Sequence, residues 1–208
     1  MNRRTFGMTL LASVSALSLA AMTDVRAEPR VGQPAPTFSA VDSNGKAVKL
    51  DQYRGKTVVL EWTNDGCPYV RKHYGAGNMQ ALQKKWTGEG IVWLSVISSP
   101  PGEQGYATGP EANKLSTERN ATPSAVLLDP KQQVAKLYGA RVTPHMYVIT
   151  PEGKLAYMGA IDDKPTSRAS DIAGAKNYLD NALSELKAGK PVSTPATRAY
   201  GCTVKYTS

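Results

Sequence analysis

Thr57–Tyr74 reads TVVLEWTNDGCPYVRKHY, and this stretch decides the fold. Val58–Trp62 is an apolar run interrupted only by Glu61. Val, Val, Leu and Trp in succession suit a strand covered on both faces, as in an α/β sheet. Asn64-Asp65-Gly66 carries a turn signal. Pro68 then suits the first position of a helix, where its missing N–H loses nothing. Cys67 therefore falls at the cap, where free backbone N–H groups and the helix dipole favour an anion. A thiolate is such an anion, so the position predicts a lowered thiol pKa and raised reactivity. Arg71 and Lys72, one turn on, add positive charge to that expectation. An inert buried cysteine, or half of a structural disulfide, is the alternative reading.

Outward from this junction the chain alternates strands and helices. Thr37–Val41 and Ala47–Leu50 flank Asn44-Gly45, a hairpin signal. The helix from Pro68 to about Trp86 meets Gly75 and Gly77, each costing about 1 kcal/mol in a helix interior, which predicts a break. Ile91–Ile97 (IVWLSVI) reads as a second buried strand. Ser98–Gly109 is a Gly- and Pro-rich loop at a strand's carboxyl end, where α/β proteins place binding crevices; it frames a site or is plain surface. Pro110–Asn120 reads as helix, Ala125–Asp129 as a third strand, and Lys131–Tyr138 as a short helix ended by Gly139. Tyr147–Thr150 and Lys154–Ala160 form a hairpin around Pro151-Glu152-Gly153. Asp171–Lys187 has the apolar spacing of an amphipathic helix, stopped by Gly189 and Pro191.

The chain has 208 residues, 41% hydrophobic and 20% charged, and two cysteines, Cys67 and Cys202. Two cysteines make a reactive pair or one bridge, not a disulfide scaffold. Residues 1–27 read as a signal peptide: Arg3-Arg4, an apolar Met8–Ala21 too short for a membrane span, and Val25-Arg26-Ala27 before Glu28. Asn-Arg-Arg-Thr-Phe is similar to a twin-arginine signal, with a Sec signal or an uncleaved anchor as the alternatives. Cleavage leaves 22 basic against 16 acidic residues, a net +6. No Lys/Arg run is present, so the surplus reads as solvated surface and not as a nucleic-acid site. Export predicts a periplasmic or secreted protein, without stable membrane insertion after cleavage, in a compartment where disulfides persist. The expected division is residues 28–190 as one domain and 191–208 as a tail carrying Cys202.

Strand, polar turn and Cys-Pro helix start together resemble the thioredoxin superfamily. More closely the chain resembles thioredoxin-like redoxins related to the AhpC/TSA and peroxiredoxin proteins. The matching pieces are VGQPAPTFSAVDSNGKAVKL, YRGKTVVLEW, DGCPYVRKHY, ATPSAVLLDP, YGARVTPHMYVITPEG and GCTVKY. The resemblance implies a three-layer α/β sandwich around a mixed sheet, with an N-terminal hairpin and a C-terminal extension. Two departures stand out. Val70 replaces the second cysteine of Cys-x-x-Cys. Asn64 and Leu60 stand where the peroxiredoxin motif has Thr and Pro, which argues against fast peroxide reduction.

The resemblance also implies roles. Glu61 takes the place of a buried acid that exchanges a proton with Cys67; read from the strand pattern alone, it is alternatively a strand-edge Glu reaching solvent. Pro144 takes the place of a cis-proline facing the cysteine, and Thr143 would bind a partner's extended segment by strand pairing. His145 reads as a base, a metal ligand or an ordinary strand residue. His73 reads as solvent-facing or as a satisfied hydrogen-bond partner. Apart from the resemblance, Cys202 lies beside apolar and aromatic residues in GCTVKY, so the tail is expected to pack back and bring Cys202 to or near Cys67, to resolve a mixed disulfide. The expected function is an exported thiol–disulfide redox protein acting on protein thiols or small disulfides, with no cofactor. The alternatives are copper binding by Cys67 with His73 or His145, weak thiol peroxidase activity, and a non-catalytic module with a structural Cys67–Cys202 bridge.

Overall fold

The structure is a computed structural model and describes residues 28–207. The signal segment expected over residues 1–27 lies outside the described residues. Strands β1 (Ser39–Asp42) and β2 (Ala47–Lys49) form the expected hairpin. Its turn is closed by Asp42, whose carboxylate accepts from the N–H groups of Asn44 and Lys46, both at 2.9 Å. Gly45 takes the positive φ that such a turn needs, +79°.

Strand β3 (Val58–Trp62) is buried at all five positions. Helices α1 (Pro68–Gly75) and α2 (Asn78–Gly88) follow, and the break falls at the predicted glycines. Gly77 caps α2 in the left-handed conformation at φ +72°, which a side chain resists. Strand β4 (Val92–Ile97), helix α3 (Gly109–Glu118), strand β5 (Ala125–Leu128) and helix α4 (Gln133–Tyr138) come next. Asp129 receives the N–H groups of Val134 and Ala135 at the start of α4. Strands β6 (Val142–Thr143), β7 (His145–Ile149) and β8 (Leu155–Gly159) lead to helix α5 (Tyr178–Lys187) and a last strand, β9 (Cys202–Thr203).

The main sheet runs β2-β1-β5-β4-β3-β7-β8. Strands β3, β4 and β5 are parallel, and β1, β7 and β8 join antiparallel, so the sheet is mixed as expected. Alternate residues of β3 face opposite layers. Val58, Leu60 and Trp62 pack with Val134, Ala135 and Tyr138 of α4. Val59 packs with Val70, Met79, Trp86 and Leu183 from α1, α2 and α5. Fully burying one such side chain contributes about 1.5–3 kcal/mol, so a strand buried on both faces fixes the centre of the fold.

The last helix begins later than its apolar spacing predicts. A single helix over Asp171–Lys187 is expected, but residues Ala169–Ile172 make a 3-10 turn and α5 starts at Tyr178. Asn177 decides this. Its side chain accepts the N–H of Asp180 at 2.8 Å, a true N-cap. Upstream, the Lys176 N–H goes to Asp163 instead of a helical carbonyl.

The tail after α5 does not hang free. It runs beside β8, with Met158 N–H donating to the Pro195 carbonyl and Thr197 N–H to the Met158 carbonyl, both at 3.1 Å. Further on, β9 pairs with β6, placing Thr143 opposite Cys202 and Val142 opposite Thr203. Val204 is buried and its N–H donates to the Arg141 carbonyl at 3.0 Å. Gly201 has φ +142°, and a β-carbon there would collide with the Thr143 carbonyl. Gly201→Ala is therefore expected to unseat β9. Trypsin should cut at Arg198 and Lys205 several-fold faster in the variant, with little change in the thermal midpoint of the body. Equal cleavage rates would show that the pairing does not hold the tail.

Candidate active site

Cys67 is positioned by local turn chemistry. The Asn64 side-chain oxygen accepts the Gly66 N–H at 2.8 Å, and the Cys67 N–H donates to the Asn64 carbonyl at 3.0 Å. This folds Thr63–Gly66 into a tight bend that delivers Cys67 to the N-cap of α1, with Pro68 at the first helical position. The loop after β4 braces the bend. The Asn64 amide donates to the Gln104 carbonyl at 3.0 Å, and the Gln104 amide to the Gly66 carbonyl at 3.3 Å. The loop thus frames the site, and Asn64, which stands at the peroxiredoxin Thr position, is occupied in holding the bend.

Three expected residues meet at the thiol. Cys67 is 0% exposed, and its thiol donates to the Thr143 carbonyl at 3.1 Å. The Thr143–Pro144 peptide is cis. The pairing of β6 with β9 sets Cys202 beside them; both thiols are free, and Cys202 packs against the buried cluster that contains Cys67. Thr143 was expected to offer an open strand edge to a partner chain. The structure corrects this: residues Cys202 and Thr203 of the same chain occupy that edge.

Burial pushes the Cys67 thiol up, but hydrogen bonds to its thiolate outweigh it. They come from the Cys202 thiol, the Val70 backbone, Thr143 and the Cys202 backbone, and the net pKa lies below that of an ordinary thiol. The Thr143 hydroxyl is buried and makes no hydrogen bond beside the thiol form, so it is free to turn to the thiolate. Cys202 moves the other way, to about 12, through burial and the neighbouring Cys67. The pair thus has one sulfur that carries charge readily and one that does not.

Arg71 and Lys72 do not supply the positive charge expected of them. The Arg71 side chain turns back to the Asp65 carbonyl at 2.7 Å. Lys72 is buried, and its ammonium contacts Asp162 at 3.3 Å, the Lys164 carbonyl at 2.8 Å and the Tyr200 hydroxyl at 3.3 Å. The Tyr200 hydroxyl also donates to Asp162 and lies 3.4 Å from His73 Nε2. This buried cluster anchors the tail two residues before Cys202. Sequence reasoning missed Asp162 and Tyr200. The one available signal was a Lys and a His, adjacent in a helix, that both turn out to be buried.

Glu61 is buried, as the resemblance implies, on the face of β3 that α1 and α2 cover. It accepts from Tyr74 Oη at 2.8 Å, Gln83 Nε2 at 3.1 Å, Trp93 Nε1 at 2.8 Å and Ser95 Oγ at 2.9 Å. None of these bonds runs to Cys67. Glu61 ties β3, β4, α1 and α2 together beneath the site. His73 is buried and satisfied by Asn78 at 2.8 Å and Tyr200, so its solvent-facing reading is corrected. His145 Nδ1 lies 3.1 Å from the Tyr147 hydroxyl. Among the described residues no group of three or more His, Cys, Asp or Glu is placed to hold a metal ion.

Comparison with known proteins follows the same lines. Residues 31–158 match the AhpC/TSA family, more than half of the chain. The chain belongs to the AhpC/TSA family. It is similar to the thiol-disulfide oxidoreductase ResA of Bacillus subtilis (strain 168), 28% identical over 124 residues, which are 60% of this chain and 64% of that protein. The chain thus spans just under two thirds of that relative's length. An uncharacterized conserved protein from Geobacillus kaustophilus superposes with a TM-score of 0.75 at 24% identity, covering 86% of this chain and 93% of that one. The thioredoxin domain of a thiol-disulfide oxidoreductase from Bacteroides vulgatus superposes with a TM-score of 0.51 at 19% identity, covering 70% and 96%. The fold is thioredoxin-like.

Two expectations follow from the buried polar groups. Glu61→Gln turns an amide N–H toward donors and leaves at least one unpaired, so it should cost roughly 1–3 kcal/mol in urea unfolding. An unchanged midpoint would deny Glu61 its structural role. Burial, opposed by Asp162 and reinforced by Lys72, pushes His73 down to about 4; burial and then Arg141 do the same to His145. Both imidazoles bind fewer protons folded than unfolded, where the pKa is about 6.5. Their stability is therefore present in full above that value, declines as pH falls, and is lost near pH 4. Each contributes at most about 1.4 kcal/mol per pH unit in that window. Urea midpoints measured from pH 7 to 4 should fall less steeply for His73→Gln than for the parent; parallel slopes would contradict the assignment.

Proposed function

We propose that this protein is a thiol–disulfide redox protein whose couple is Cys67 and Cys202. The observation that carries the reading is the convergence of two free thiols on Thr143, one at a helix N-cap donating to the Thr143 carbonyl and one on the strand paired with Thr143, beside cis-Pro144. Cys67 is the thiolate of the pair. Cys202 closes the bridge and replaces the cysteine that Val70 displaces from the helix. Oxidation removes two electrons and two protons from the dithiol and forms one S–S bond; reduction by two thiols reverses it. The name of the relative from Bacillus subtilis, a thiol-disulfide oxidoreductase, supports the same chemistry.

The partners are protein thiols or small disulfides, and the signal segment read at residues 1–27 supports a periplasmic or secreted location. No helix among the described residues is long and apolar enough to cross a membrane. Glu61 acts on the thiol by fixing the floor under α1, without a hydrogen bond to the sulfur.

Titration against glutathione, with thiols counted by mass spectrometry, tests the couple. A Cys67–Cys202 bridge with a potential above about −250 mV is expected, and Cys202→Ser should abolish it. A potential below about −300 mV would make the bridge a structural staple. Absence of any bridge would remove Cys202 from the chemistry.

A further inference from the structure

The tail covers the sulfur that carries the charge. Cys67 is 0% exposed, while Cys202 is half-buried and followed by the exposed Thr203 and Lys205. The edge on which a partner's backbone would pair with Thr143 is filled by β9, and Gly201 lies against the Thr143 carbonyl too closely for any side chain. Pins on both sides hold this arrangement. Upstream, the Thr197 hydroxyl bonds the Ala160 N–H at 2.9 Å, and Tyr200 sits in the cluster of Lys72, Asp162 and His73. Downstream, the Tyr206 hydroxyl donates to the Ala140 carbonyl at 2.6 Å, and the Thr207 N–H to Gln132 at 2.9 Å. A partner that approaches the folded protein meets Cys202 before it meets Cys67.

We infer that the oxidised couple exchanges with its partner through Cys202, and that Cys67 is the leaving sulfur. The inference rests on the proposed couple and reverses the order expected from the resemblance, in which Cys67 takes the partner and Cys202 resolves. A partner thiolate attacks Sγ of Cys202 and forms a partner–Cys202 disulfide. The Cys67–Cys202 bond breaks, and its electron pair remains on Cys67 as the thiolate. A second partner thiolate then attacks the partner's own sulfur, the partner disulfide forms, and Cys202 leaves and takes up a proton. Leaving-group chemistry favours this direction. The sulfur with the lower pKa departs faster, and Cys67 sits at the N-cap of α1 beside the unpartnered hydroxyl of Thr143, a place suited to a thiolate. Lys205, exposed and three residues on, adds a positive charge near Cys202.

The substrate class follows. An approach at Cys202 needs no strand pairing with Thr143, so it admits small thiols and cysteines on exposed loops, and it does not select extended segments.

Peptide mapping tests the order directly. The chain is oxidised with glutathione disulfide, mixed with reduced glutathione, quenched with acid within the first turnover, and digested with trypsin without reduction. The glutathione adduct is expected on the peptide Ala199–Lys205, which holds Cys202, in about tenfold or greater excess over Thr57–Arg71, which holds Cys67. An adduct found mainly on Thr57–Arg71 would overturn the inference while leaving the couple intact. Failure of the bridge to form before glutathione is added would overturn both. A second measurement separates cover from chemistry. In Cys202→Ser, Cys67 should react with a disulfide reagent several-fold slower than after Tyr200→Phe is added to loosen the tail. Equal rates would show that the tail does not shield Cys67.

Discussion

A buried thiol that is to carry charge must be given hydrogen-bond donors in place of water. Without them burial raises its pKa and leaves it inert. Here the donors come from three places far apart in sequence. The start of α1 offers Val70, β6 offers Thr143, and the C-terminal strand offers the Cys202 backbone and thiol. The site is therefore complete only when β9 lies on β6. Gly201, Thr197, Tyr200 and Gln132 all serve to keep that two-residue ladder in place, and a ladder of two residues cannot hold itself.

Two buried carboxylates organise the polar interior around this contact. A carboxylate out of water costs several kcal/mol unless its oxygens are paired. Glu61 meets that cost with four donors from β4, α1 and α2. Asp162 meets it with Lys72 and Tyr200, and Lys72 is equally dependent on Asp162. The first carboxylate sets the helix that carries Cys67. The second sets the tail that carries Cys202. Each sulfur thus has its own buried acid as a positional support, and neither acid needs to touch a sulfur to matter.

The parts of this arrangement that were legible in the sequence are those written locally. The β3 run, the bend at Asn64, the cap at Cys67, the break at Gly75–Gly77 and the Asn-Gly hairpin each depend on residues within a few positions of one another. The late start of α5 was missed because an apolar period continues through Ile172 and Ala175, whereas Asn177 decides the start by a single side-chain bond. Lys72 was read as a free charge because its partners Asp162 and Tyr200 lie 90 and 128 positions away. The tail's return was legible from Cys202 beside apolar and aromatic residues. Its docking on Thr143 was not, because no local pattern encodes which edge a distant strand takes.

Moving the second cysteine from the helix to the tail changes what keeps the pair together. In Cys-x-x-Cys the helix itself holds the two sulfurs one turn apart. Across about 135 residues of free chain, closing the bridge would cost roughly 4–5 kcal/mol of loop entropy in the chain-entropy view. In the folded protein that cost is already met by the contacts that seat the tail, so the sulfurs are juxtaposed before any bond forms. The tightness of the tail then sets the redox character. A tail held firmly makes the bridge easy to form and hard to open, and a tail held loosely does the opposite, by the same effective-concentration reasoning that governs tethered ligands. Tyr200 is the residue through which that balance is most directly set: its hydroxyl joins the tail to Lys72, Asp162 and His73 of the buried cluster, and it lies two positions from the sulfur whose place it fixes.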